Sequence, residues 1–419
     1  MKLLLGGSPC THWSIAQTKN RETEPNGIGW ELFENYLIAL DKFKPYYFLY
    51  ENNKSMSKSI RDEITKRFGF EPICINSAKL SAQSRHRLYW CGRINQDGTY
   101  SRVEVKQPTD RGIILQDILD TGVSWREKGY TLKANYYKAS AVSAMDGGHF
   151  PAPMAAEPFR IETIESDARN QEEHDSKPYL VYSPDGKSVT MCGQGGGVGA
   201  KTGLYATPYQ EANYNIIDGA KVIISNGKIR QEDELGGKQG KYVYLPTCEK
   251  SNTIGSGQAH NEKVLQEVGR GENYRTVYEV RAGLITINGK QYPIKLADGC
   301  YIIRKLTVTE CKRLQTVPDS YVFPVSDTQA YKMLGNGWTV DVIAHILSNC
   351  PRITSEPLDV LSMYDGMACG HIALDKLGAT IARYRATEID KYAIKTACHN
   401  FPDIEQIGDA FQVREKGWE

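Results

Sequence analysis

Long apolar runs are missing: no stretch of the 419 residues approaches the ~18 apolar residues that a membrane span needs, so no membrane partner is expected. The opening Met1–Cys10 has three leucines and then glycines, too short for the apolar region of a secretory signal. An excess of one charge is missing too. Fifty-one Lys and Arg against 50 Asp and Glu leave a net charge of +1, which excludes a general polyanion coat. Any nucleic-acid contact would need a localised basic face. The ten cysteines include no CxxC pair, which argues against a structural zinc site or a disulfide framework. No metal site is expected, and reduced thiols of a cytoplasmic protein are the default. What remains is the 40% hydrophobic, 24% charged balance of a globular chain long enough for two or three domains. The 25 Tyr and 38 Gly suit β-rich, loop-rich regions.

The first ~95 residues alternate strand and helix patterns. Leu3–Leu5 is a short apolar run, Trp30–Leu40 has helical spacing, Tyr46–Tyr50 reads as a buried strand and Ser57–Phe68 as a charged helix. Glu71–Ile75 and Leu88–Cys91 read as further strands. Such alternation predicts a mostly parallel sheet with helices on its faces. From about Arg102 to Leu296 the pattern turns hairpin-like. Tyr130–Asn135, Ser188–Gly193 and Ser251–Gly255 resemble one another loosely and read as strand-and-loop pieces. Ile285–Lys295 sets Asn-Gly between alternating apolar residues, a strong hairpin signal. Helices are expected again at Thr307–Leu314, Asp341–Leu347 and Ile372–Leu377, and strands at Leu358–Met363 and Ala382–Ile389. The two α/β ends predict one domain split by an inserted β-rich module.

Several residues carry chemical potential. Tyr364-Asp365-Gly366-Met367 makes a tight turn between a strand and a helix, where glycine lets backbone approach a ligand. The spacing is not GxGxxG, so a dinucleotide reading is weak. Glu388 ends the next strand and can accept from ribose hydroxyls; Asp409, before Ala410, ends a third and can bind an adenine amino group. Taken singly, each is more often an ordinary turn residue. At the other end, Gly7-Ser8-Pro9-Cys10 follows a strand directly. Cys10 reads as a buried small residue or as a nucleophile, and Glu51 as a solvated strand end or a general acid. Arg85 and Arg87 fall on one face of a strand, either solvated or functional.

Together with Gly335-Asn336-Gly337-Trp338-Thr339-Val340, these motifs resemble the DNA cytosine-5 methyltransferases. The similarity covers roughly residues 1–95 and 300–419. Around Cys10, Glu51 and Arg87 it looks closest to the animal de novo branch and to phage-type enzymes. The resemblance implies a Rossmann-like S-adenosylmethionine-dependent methyltransferase sheet with an inserted β-rich target recognition domain. The expected division is 1–100 (catalytic Cys half), 101–297 (target recognition), 298–350 (closing segment) and 351–419 (cofactor-binding half). It implies methyl transfer to carbon 5 of cytosine in double-stranded DNA, with base flipping and a covalent Cys10–cytosine intermediate. Glu51 would donate to the ring nitrogen, Arg87 would hold the base carbonyl, and Arg85 would steer the Cys10 loop or a phosphate. Tyr364, Asp365, Gly366, Met367, Glu388, Ile389, Asp409, Ala410, Asn336, Trp338 and Pro9 would line the S-adenosylmethionine pocket. Thr11–Gly29 would be a lid over the base. A restriction-modification or phage role in a bacterial or phage-infected cell follows, with a restriction endonuclease as a partner.

Two departures stand out. The family's cofactor turn precedes its catalytic Cys, whereas here it follows the Gly335–Val340 motif, so the chain looks circularly permuted. On that basis the strand ending at Asp409 is expected beside the strand ending at Cys10. Asn53 stands where the family usually has Val. Rival readings are a transfer-RNA cytosine-5 methyltransferase, against which the inserted module counts, a methylation-dead DNA-binding protein, and a nicotinamide-dependent oxidoreductase.

Overall fold

The computed structural model describes residues 1–9, 12–14, 21–145, 151–158 and 275–416, with short strand pieces at 181–182, 204–205, 214–216, 223–225 and 228–230. Cys10, Ser188–Gly193 and Ser251–Gly255 lie outside the described residues. The chain divides into two compact units: Met1–Asp120 with Arg126–Pro153 and Leu306–Glu419, and Thr121–Trp125 with Met154–Lys305.

The first unit is built on one sheet. Its strands are β1 (Lys2–Gly6), β2 (Tyr47–Asn53), β3 (Ile73–Asn76), β4 (His86–Ile94), β5 (Tyr100–Arg102), β6 (Leu358–Met363), β7 (Ile381–Thr387) and β8 (Ile404–Gly408). Their order is β8-β7-β6-β1-β2-β4-β3, with β5 paired to β4. β8, β7, β6, β1 and β2 run parallel, and β4 is antiparallel to both of its neighbours in that order. Strands covered on both faces read as apolar runs, as Leu3–Leu5 and Tyr47–Tyr50 do, and β2 is buried throughout, its polar end Glu51-Asn52-Asn53 included.

The helices follow local signals. α1 (Gly27–Phe43) ends at Lys44 in the left-handed region. α2 (Lys58–Phe68) starts at Ser57, whose hydroxyl accepts from the Ile60 amide, and ends at left-handed Gly69. α1, α2, β2 and β4 together bury an aromatic cluster that includes Phe33, Tyr36, Phe48, Phe68 and Trp90. α3 (Val308–Leu314) opens with a capping box between Thr307 and Glu310. α4 (Asp327–Asn336), α5 (Val340–Ser348), α6 (Cys369–Lys376) and α7 (Lys391–Asn400) complete the unit.

One expectation is corrected. β1 lies beside β6, with Gly6 opposite Met363, and the strand that leads to Asp409, β8, is at the sheet edge. Right-handed crossovers carry β6 to β7 to β8 outward in one direction. A further parallel strand must therefore return to the middle, beside β6, and β1 occupies that place. The β6–β1 boundary is thus the switch point of a doubly wound sheet, where ligands bind outside the carboxyl ends of the strands.

A second correction concerns Tyr130–Asn135, which forms no strand. The segment packs in the first unit, where Lys128 Nζ bonds the carbonyls of Ala78, Ser81 and Ile113, and Gln83 accepts from the Leu132 amide. Residues 101–120 and 126–153 therefore belong to the same compact unit as the sheet.

Gly335 lies against this segment. A Cβ there would sit 2.2 Å from the Lys133 carbonyl carbon and 2.4 Å from the Ala134 nitrogen, both backbone. Gly335→Ala is expected to cost about 3 kcal/mol or more, the upper end of overpacking penalties, because backbone cannot rotate away. A melting temperature within a degree or two of wild type would contradict this close approach.

The second unit holds a six-stranded sheet. Lys290–Pro293, Leu284–Ile287, Arg275–Arg281, Gly299–Lys305 and Met154–Pro158 follow one another as antiparallel neighbours, and Tyr214–Ile216 pairs with Arg275–Arg281. The Asn-Gly hairpin forms as expected, with Asn288 and Gly289 at φ 52° and 72°.

Candidate active site

The carboxyl ends of β1, β2 and β6 lie side by side, because Gly6 is opposite Tyr50 on one flank and Met363 on the other. The loop leaving β1 is tied to β2. Ser8 Oγ and Tyr50 OH are 2.6 Å apart, and Asn52 Nδ2 donates to the Ser8 carbonyl at 3.1 Å. Asn53 donates to Asn52 Oδ1 through its backbone and side-chain nitrogens, at 2.8 and 3.1 Å. These bonds turn the Asn52 amide so that its NH2 group faces Ser8. The departure at Asn53 therefore supports the loop that leads through exposed Pro9 to Cys10.

Glu51 sits at this edge, 9% exposed. Its Oε1 pairs with Arg87 Nε at 3.0 Å, and its Oε2 accepts from Trp338 Nε1 at 3.0 Å. Gly7 lets the β1 loop pass close by, since a Cβ there would be 2.5 Å from the Glu51 carbonyl oxygen. Arg85 does different work. It is 4% exposed, and its guanidinium donates to the carbonyls of Leu132, Gly335 and Gly337 at 3.1, 3.2 and 3.0 Å. It is thus turned inward, not out toward a phosphate, and it braces the Gly335–Trp338 segment. Beside Arg87, burial and, less, the charges of Lys54 and Arg87 hold His86 below the usual histidine range.

On the β6 side, the turn is backbone-strained: Tyr364, Gly366 and Ala368 have φ of 61°, 61° and 59°. For Tyr364 and Ala368 the left-handed region costs of order 1–2 kcal/mol each, a cost typical of ligand-binding turns. Asp365 is buried, with Oδ1 accepting from Tyr384 OH at 2.7 Å and Oδ2 without a well-formed hydrogen bond. Burial pushes its carboxyl up to about 6, against the opposing pull of the Ser362 and Tyr384 hydroxyls. Glu388 Oε2 accepts from the Gly366 amide at 2.8 Å, and its Oε1 accepts from the amides of Ile389 and Asp390. Ile389 stands 74% exposed beside it. Asp409 accepts from the Phe411 amide and is exposed, while Ala410 is buried. Asn336 is exposed and Trp338 half-buried. The Met367 side chain is buried and its carbonyl accepts from Tyr321 OH at 2.7 Å; Tyr364 OH donates to the Leu32 carbonyl.

Thr11 and residues 15–20 of the expected lid lie outside the described residues, and the rest is anchored. Trp13 is fully buried, Glu22 takes hydrogen bonds from Trp13 Nε1 and the Gly29 amide, and Gly27–Gly29 already belong to α1. Sequence reasoning missed Tyr384, Tyr321 and the Trp338–Glu51 bond. Tyr384 sits on a strand with no motif around it, and only a fold reveals its partner.

A model of the family described as C-5 cytosine-specific DNA methylase matches residues 1–352. The chain belongs to that family. It is 35% identical to the Type II methyltransferase M.SsoII of Shigella sonnei over 101 residues, 22% of this chain and 26% of that protein. It is also 35% identical to the Type II methyltransferase M.HhaI of Haemophilus parahaemolyticus over 86 residues, 20% of this chain and 26% of that protein. Over 116 residues it is 28% identical to the DNA (cytosine-5)-methyltransferase DRM2 of Oryza sativa, 27% of this chain and 19% of that one. The chain thus spans about a fifth to a quarter of the length of these curated relatives. Among the described residues no helix is long and apolar enough to cross a membrane.

Proposed function

We propose that this family member transfers a methyl group from S-adenosylmethionine to carbon 5 of cytosine in double-stranded DNA, with Cys10 as nucleophile. The observation that carries the reading is convergence. The loop that leads to Cys10, the Glu51–Arg87 pair and the strained Tyr364–Ala368 turn leave one edge of one sheet, although the turn lies 277 positions beyond Arg87 in sequence (364 − 87). Circular permutation belongs to the same proposal. It is supported by β6–β8 completing the sheet beside β1, and by the family match ending at residue 352, before the turn.

The residues of the β6 side fit the cofactor. The buried Asp365 Oδ2, without a well-formed hydrogen bond, suits a cationic group, exposed Ile389 suits an aromatic base face, and Glu388 Oε2, with one amide on it, keeps a site for a hydroxyl. Asn336, Trp338, Asp409 and Pro9 border the same edge in this reading. When bound, S-adenosylmethionine supplies an electrophilic methyl group. The Cys10 thiolate adds to carbon 6 of cytosine, breaking the ring's conjugation and making carbon 5 nucleophilic. Glu51, held as a carboxylate by Arg87 and Trp338 in the free protein, takes up a proton as the base enters and passes it to the ring nitrogen as charge develops there. Arg87, paired to Glu51, holds the base carbonyl. Carbon 5 takes the methyl group and S-adenosylhomocysteine is left; the carbon-5 proton then passes to solvent and Cys10 departs as thiolate, which restores the ring. A stacked base cannot enter such a site, so it is flipped out. The second unit, which overlaps the expected 101–297 module and runs on to Lys305, reads the target sequence, and a restriction endonuclease is a fitting partner.

The test is transfer of labelled methyl to duplex DNA and, separately, to transfer RNA. Label on carbon 5 of DNA cytosine supports the reading; label on transfer RNA alone, or on neither, overturns it. Asp365 adds a pH signature. If its carboxylate pairs with a cation of the cofactor, affinity weakens as pH falls through about 6, because the proton on Asp365 must then be displaced. Calorimetry with S-adenosylhomocysteine from about pH 5 to pH 8 should show a loss approaching tenfold per pH unit on the acid side, and Asp365→Asn should flatten it. A flat wild-type profile would remove Asp365 from the cation contact.

A further inference from the structure

We propose that Trp338 is a positioning residue for Glu51, and that its indole joins the cofactor turn to the carboxylate that meets the base. The inference rests on the proposed role of Glu51. Three observations carry it. First, Trp338 Nε1 donates to Glu51 Oε2 at 3.0 Å, while Arg87 Nε occupies Oε1 at 3.0 Å. A carboxylate held by one donor can still swing about its last bond. Held by two donors, one on each oxygen, it has a fixed plane.

Second, the indole reaches the turn side of the sheet edge. A Cβ added to Gly370, in the first turn of α6, would meet Trp338 Cζ3 at 3.8 Å, and one on Gly337 would lie 3.2 Å from Cys369 Sγ and 3.5 Å from Met367 Sδ. The Trp338 backbone also faces the Cys369 thiol. Trp338 thus lies beside Cys369 through its backbone and beside Gly370 through its ring, while its N–H points at Glu51. Third, the segment carrying Trp338 is itself braced. Arg85 holds the Gly335 and Gly337 carbonyls, Gln315 Nε2 donates to the Leu334 carbonyl at 2.6 Å, and Thr339 Oγ1 donates to Gln315 Oε1 at 2.9 Å. The indole is therefore placed by the fold and does not depend on Glu51 for its position.

Trp338→Phe removes the N–H and keeps a ring on the turn, whereas Trp338→Leu removes both. The phenylalanine variant is expected to bind S-adenosylhomocysteine within about threefold of wild type. It should lose about tenfold to a hundredfold in single-turnover methyl transfer, the scale of one hydrogen bond to a charged group. The leucine variant should lose affinity as well. If Trp338 acts through Glu51, then Glu51→Gln with Trp338→Phe is no slower than Glu51→Gln alone. Additive losses, an unaffected phenylalanine variant, or rate and affinity falling together in it would each overturn the proposal. Should wild type transfer no methyl at all, the functional reading fails, and the same four proteins are compared by melting temperature. Coupling of the two substitutions then upholds the positioning contact, and additivity rejects it.

Discussion

Cys10→Ser is expected to leave methyl transfer below ~1% of wild type while cofactor affinity stays unchanged. The hydroxyl is a far weaker nucleophile than a thiolate and has no route to ionise near neutral pH. The loop before it is held independently, by Ser8 on Tyr50 and Asn52 on Ser8, so exchanging one sulfur for oxygen leaves that scaffold in place. A duplex carrying cytosine fluorinated at carbon 5 sharpens the experiment. Fluorine cannot leave as a proton does, so wild type should stall as a covalent complex that survives denaturation, and Cys10→Ser should form none. Turnover of the serine variant above that level, or no trapped complex from an active wild type, would remove Cys10 from the chemistry.

Glu51→Gln is expected to slow transfer by about 10²–10⁴-fold, the range for a positioned general acid. The structure adds a second effect. Glu51 receives a donor on each oxygen, Arg87 Nε on one and Trp338 Nε1 on the other. An amide offers one acceptor and one donor, so in either orientation its NH2 group faces a donor. A loss of about 1–3 kcal/mol of stability should accompany the loss of rate, as for any buried group left without its partner. The two effects separate experimentally: the rate is measured well below the melting temperature of the variant. A rate unchanged across pH would make Glu51 a structural strand end.

Much of the catalytic half was legible because its signals are local. Leu358–Met363 and the Asn-Gly hairpin fell where expected, and Ser57 and Thr307 capped their helices, since each depends only on near neighbours in sequence. Glu51 and Arg87 were legible as strand residues near a motif, but their pairing needed the register of β2 against β4, where Asn53 faces Arg87. What was not legible depends on distant packing. Arg85 looks in sequence like a partner of Arg87, and burial turns it into a brace for three carbonyls. Continuity along the chain suggests β8 beside β1, but the crossovers of a doubly wound sheet separate neighbours in sequence from neighbours in the sheet, and β8 lies at the edge. Tyr130–Asn135 has strand-like composition, yet its neighbours are held by side chains, Lys128 and Gln83, and not by a ladder.

The pairing of Gly6 with Met363 at the centre of the sheet has a consequence for synthesis on the ribosome. At about 5–20 residues per second, β1 waits roughly twenty seconds to just over a minute before β6 exists to pair with it. During that time one flank of β1 presents unpaired amides and carbonyls beside three leucines, an edge open to pairing with other chains. The nascent protein therefore carries an aggregation hazard at β1, and only the arrival of β6 closes it.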